Sequence, residues 1–86
     1  MDKVIAELER VPHGGRNTAL NHAARMLGRW IAAGALEQAE VEDALYAAAV
    51  VNGLVADDGD RQCWATSRSG LGAGLREPVD LTARRR

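Results

Sequence analysis

The stretch that decides the fold is Gly14 to Gly34, GGRNTALNHAARMLGRWIAAG. A Gly-Gly pair opens it, a glycine closes it, and apolar residues recur between them at helical spacing. Leu20, Ala23, Leu27, Trp30 and Ile31 fall on one flank with Met26 at its edge, while Thr18, Asn21, His22, Arg25 and Arg29 fall on the other. Between the flanks runs a ridge of short side chains, Asn17, Asn21, Ala24, Gly28 and Ala32, which permits a second helix to approach closely. Gly28 costs a helix interior about 1 kcal/mol against alanine, so its presence points to a close contact there. The expected helix runs from about Thr18 to Ala33, with Asn17 as its N-cap and Gly34 as its stop.

The rest of the chain reads as further helices. Val4, Ile5, Leu8 and Val11 make a stripe on a short first helix from Asp2 to Arg10, ended by Pro12 and the glycines. A third helix is expected from about Ala39 to Asn52. Glu40, Glu42 and Asp43 suit its first turn. The run Ala44 to Val51 is apolar nearly all round, which marks it as the most buried element. Asn52-Gly53 ends it, with Leu54 and Val55 folding back onto the core. Val55 to Gly59 reads as an acidic loop in which Asp57 and Asp58 are solvated. A fourth helix, from about Arg61 to Leu75, carries Trp64, Leu71 and Leu75 as its core stripe. Its Gly70, Gly72 and Gly74 together cost roughly 3 kcal/mol of helix propensity. Tight packing or a backbone approach to a ligand must offset that.

Size and composition narrow the class. With 86 residues, the chain forms one domain that buries about 60–65% of its unfolded surface, a thin stability margin. The core is alanine-rich, Phe is absent, and strand-like alternation is missing, so the expected fold is all-α, a small bundle of four helices. That bundle spans 1–78, with 79–86 as a flexible basic tail or linker. A net charge of −1 excludes a general polyanion trap, so any nucleic-acid contact must be local. The single cysteine, Cys63, excludes an internal disulfide, and a reducing, cytoplasmic setting is expected. No run is apolar enough for a membrane span.

Three candidate sites emerge. Gly14-Gly15-Arg16-Asn17 opens onto a helix N-terminus, where free amides and an arginine suit a phosphate; the bland reading is a turn with a solvated Arg16. His22, Arg25 and Arg29 share a face that can track a phosphate backbone, or simply a solvated helix surface. Thr66, Arg68, Ser69 and Gly70 combine hydroxyls, a cation and open backbone, which serve binding or close packing. His13 and His22 have no companion metal ligands, and neither metal nor cofactor is expected. No catalytic constellation is evident, and Ser67 and Ser69 lack a base.

The order GGRN (14–17), NHAARMLGRWIAAGAL (21–36), VEDALYAAAVVNGL (41–54) and ATSRSGLGAGLREP (65–78) resembles the helical domain that follows the catalytic core of bacterial and phage bifunctional DNA primase/polymerases. The resemblance covers about Leu8 to Pro78. It maps onto Gly15, Arg16, Asn17, Asn21, Gly28 and Gly34, then onto Thr66, Ser69, Gly70, Leu71, Gly74 and Pro78; Ser67 departs from it, standing where an aliphatic residue is usual. The metal-holding carboxylates of that family belong to the core, which this chain lacks. The resemblance therefore implies a non-catalytic accessory domain that helps engage single-stranded DNA template, and the initiating nucleotide, in primer synthesis. The contacts expected are Arg16, Asn17, Asn21, Arg25, Arg29, Thr66, Arg68 and Ser69. The alternative is a protein-interaction or dimerisation module linking primase core and helicase, and a further one is an independent small regulator.

Overall fold

In the computed structural model, which describes residues 1–81, every regular element is a helix. They are α1 (Asp2–Glu9), α2 (Arg16–Ala32), α3 (Gln38–Val51), α4 (Leu54–Asp58) and α5 (Asp60–Leu75). The four expected helices are present within two residues of their expected ends. A fifth, the short α4, occupies what the sequence suggested was an acidic loop. Gly53 and Gly59, at φ 87° and 85°, bracket α4 and allow the chain to reverse at each end of so short a helix. The molecule extends 43 × 21 × 19 Å.

The organising contact is α2 against α5, and glycine makes it possible. A Cβ at Gly28 would lie 2.8 Å from the Leu71 carbonyl oxygen and 3.2 Å from the Gly74 Cα. Cβ atoms at Gly70 and Gly74 would overlap the backbone oxygens of Asn21 and Arg25. Backbone meets backbone there, so the expected ridge is the packing surface. Gly72 is different: a Cβ on it would touch nothing within 4 Å. Two of the three glycines of α5 are thus offset by the seam and the third is not.

The core consists of Leu8, Leu20, Ala23, Ala24, Leu27, Val41, Leu45, Ala48, Ala49, Leu54, Cys63 and Leu71. Leu20, Ala23 and Leu27 are buried as the α2 pattern required, with Trp30 and Ile31 half-buried beside them. Two expectations fail. On α5 the buried face is Cys63, Thr66, Ser67, Gly70, Leu71 and Gly74, leaving Trp64 at its edge and Leu75 exposed. The seam selects the side of α5 with the smallest residues, not the one with the largest apolar ones. Ser67 is among the buried residues of that face. Nor is α3 buried all round, because Val50 and Val51 remain 51% and 64% exposed.

Asn17 does not cap α2. The helix begins two residues earlier, at Arg16, with Gly15 as its N-cap and no side-chain cap bond. The end of the bundle reaches Val79, whose N–H donates to the Arg29 carbonyl at 3.2 Å, so the expected flexible tail is tied to α2 at its first residue. Most of that tail, 82–86, lies outside the described residues.

Candidate functional site

Arg16 is buried, 8% exposed, and works inside the molecule. One Nη donates to the Asn52 carbonyl at 2.6 Å; the other donates to His13 Nδ1 at 2.7 Å and to Asp57 Oδ2. The planar guanidinium thereby ties the loop before α2, the end of α3 and α4 together. The hydrogen bond and charge of Arg16 hold the Asp57 carboxyl below its ordinary pKa. Neither the solvated nor the phosphate-binding expectation for Arg16 describes this geometry. Asp57 and Asp58 line the hollow at the start of α2, alongside His13, Gly14, Asn17, Thr18 and Leu54. Acids at that mouth work against an anion on the open amides. Asp57, expected to be solvated, is a structural partner. An arginine is stationed there because the α3–α4 turn delivers a carbonyl and a carboxylate within reach of one fork.

Asn52 was not singled out by sequence reasoning, yet it joins three elements. Its side-chain amide donates to the Leu8 carbonyl at 3.0 Å, its side-chain oxygen accepts from the Leu54 N–H at 3.0 Å, and its own carbonyl takes Arg16. The Asn-Gly pair marked a helix end, but nothing local indicated what its side chain would hold.

The remaining candidates divide into three places. Asn17, Asn21, Thr66 and Ser69 come together, lining a hollow between α2 and α5 with Thr18, Gln62 and Ala65. The Thr66 hydroxyl donates to Asn17 Oδ1 at 2.8 Å, and the Asn21 amide donates to the Thr66 carbonyl at 3.4 Å. Arg25 and Arg29 share their face of α2 as expected, and Glu77 meets both: Arg25 Nη2 lies 2.7 Å from Glu77 Oε1, and Arg29 Nε donates to the Glu77 carbonyl at 2.8 Å. That ion pair is half-exposed on both sides and is weak on general grounds. Arg68 lies apart from the other candidates, in a hollow with Glu42, Arg61, Trp64 and Ala65.

That last hollow contains residues that sequence reasoning put in the core or passed over. Trp64 stacks on Tyr46 of α3, ring centroids 5.2 Å apart and planes 9° from parallel. The Tyr46 hydroxyl donates to Asp60 Oδ1 at 2.6 Å, which raises its pKa above the usual phenol value. Cys63, one residue from Trp64, is buried in the core and its thiol pKa is raised by burial, so it is poorly suited to act as a nucleophile.

Among the described residues no group of three or more His, Cys, Asp and Glu side chains could hold a metal ion. No helix among them is long and apolar enough to cross a membrane. Comparisons with protein-family models, with curated proteins and with solved structures return no match.

Proposed function

We propose that this chain is a non-catalytic helical accessory domain of a DNA primase/polymerase, a small bundle that helps hold single-stranded template and the initiating nucleotide. The observation that carries the reading is a convergence. Asn17 and Asn21 from the first half of the primase-like pattern, and Thr66 and Ser69 from the second, line one polar hollow across the α2–α5 seam. Amides and hydroxyls of this kind bond phosphate and sugar oxygens and base edges without demanding a sequence. Arg25 and Arg29 lie on the solvent side of α2, where a phosphate competes with Glu77. Arg16 supports the site by fixing the start of α2. The reading carries with it a cytoplasmic setting and, as partners, a primase catalytic core and a helicase. A titration with oligothymidylate at low and moderate salt tests it. Binding that weakens with salt is the expected result; no binding, or binding indifferent to salt, overturns it.

A second reading, an interaction or dimerisation module, is favoured by the exposure of Val50 and Val51 at the end of α3. Sedimentation distinguishes them: a concentration-dependent dimer abolished by Val51→Glu favours the module, and a monomer that binds DNA favours the first.

A further inference from the structure

We propose that Trp64, backed by Tyr46 and flanked by Arg61 and Arg68, is a stacking platform for one base of a DNA single strand, the two arginines taking the phosphates on either side. The inference rests on the single-strand reading above and adds a place on the molecule, facing α3 rather than α2, which that reading does not use.

Three observations converge. The first is a prepared ring. Trp64 is held by its stack on Tyr46, and Tyr46 is held in turn by Asp60. Little rotamer freedom remains to be lost when a ligand arrives. The second is a hollow of about 370 Å³ beside the indole, lined by Glu42, Arg61, Ala65 and Arg68, with room for a nucleobase. The third is charge. Arg61 and Arg68 stand seven residues apart, about 10 Å along the helix axis, on either side of Trp64. Both are exposed, and neither side chain has a hydrogen bond or ion pair among the described residues. Two acids are nearby: Asp60 accepts from Tyr46 and Glu42 accepts from Gln38 at 3.3 Å, and neither forms an ion pair with Arg61 or Arg68 among the described residues. Beside Glu42 the hollow offers a ring and two cations, and a ring with cations is the combination that single-strand binders use without sequence preference. An acidic peptide would use the arginines and leave the ring idle.

The test uses the full chain with Trp30→Phe, so that Trp64 reports alone. Probes are oligothymidylate, an abasic strand of equal length and thymidine monophosphate. Oligothymidylate should quench Trp64 emission, and Trp64→Ala should weaken its binding about tenfold. The abasic strand should bind as weakly as oligothymidylate binds the alanine variant. Arg61→Ser with Arg68→Ser should lower the slope of log K on log salt by about 1.4. Those serines replace exposed side chains, so this arm holds even if Trp64→Ala unfolds. Strand binding with unchanged Trp64 emission and no effect of the serines overturns the platform and leaves the single-strand reading standing. Quenching by the monophosphate without strand binding overturns the platform as a single-strand site and the strand reading with it. An absence of both overturns both.

Discussion

The arginines of α2 and those of α5 began as equals, cations at helical spacing on a small and nearly neutral domain. The folded chain treats them in opposite ways. Arg16 is buried among His13, Asn52 and Asp57, and Arg25 and Arg29 are both met by Glu77. Arg61 and Arg68 stand beside a stacked aromatic pair, with no such partner among the described residues. What separates the two sets is which segment comes to rest next to each. The turn after α5 brings Glu77 across α2, and the α3–α4 connection brings Asp57 to Arg16. Near Trp64, Asp60 and Glu42 accept from Tyr46 and Gln38 and pair with neither arginine among the described residues. A guanidinium's availability is thus a tertiary property.

The strongest way to break the contrast is to part the helices. Gly74→Ala drives a methyl into the Arg25 backbone that carries the α2 cations. It should cost about 3 kcal/mol, the upper end of overpacking effects. For a domain this small that lowers Tm by roughly 12–24 °C in thermal melts followed by circular dichroism. Arg16→Lys comes next. An ammonium cannot reproduce the planar fork to Asn52, His13 and Asp57, and a loss of about 2 kcal/mol is expected by urea titration.

The same cluster has a pH signature. Because the folded Asp57 carboxyl titrates below its ordinary value of 3.8, its contribution is complete above that value and is lost as pH falls through the folded pKa. Asp57→Asn should therefore be less stable than the wild type at neutral pH, with the gap closing in acid. Melts at pH 7 and pH 3 check this, and a gap that widens in acid would contradict the assignment.

Smaller effects sharpen the comparison. Gly72→Ala, on the open side of α5, should stabilise by about 1 kcal/mol, the reverse of Gly74→Ala in the same helix. Glu77→Gln should change stability by less than about 0.5 kcal/mol. By releasing Arg25, it should strengthen oligothymidylate binding under the proposed function. A Glu77→Gln protein that binds more weakly than wild type would show that the pair organises the site instead of competing with it.

Much of the fold was legible in the residues. The amphipathic run from Leu20 to Ile31, the glycine edge and the breaks at Pro12, Gly34 and Gly53 are local signals of period and backbone freedom. The failures have a common cause. Val55–Gly59 looked like a loop because two aspartates and a glycine make a poor helix, yet burial of Leu54 and the Asp57–Arg16 bond hold one turn there. Asn17 looked like a cap because its side chain suits one, but Thr66, 49 residues on, takes its oxygen. Trp64 looked like core because it is large and apolar, whereas the seam chose the side of α5 with the least bulk.

The sequence by itself determined the helical class, four of the five described helices to within two residues and the surface on which α2 receives another helix. These follow from periodicity and from the absence of a Cβ, which act over a few residues. Only the tertiary structure decided which cations are spent inside the molecule and which rings face a hollow. Pairing and exposure depend on groups from distant segments, and a linear reading has no means of measuring the distance between them.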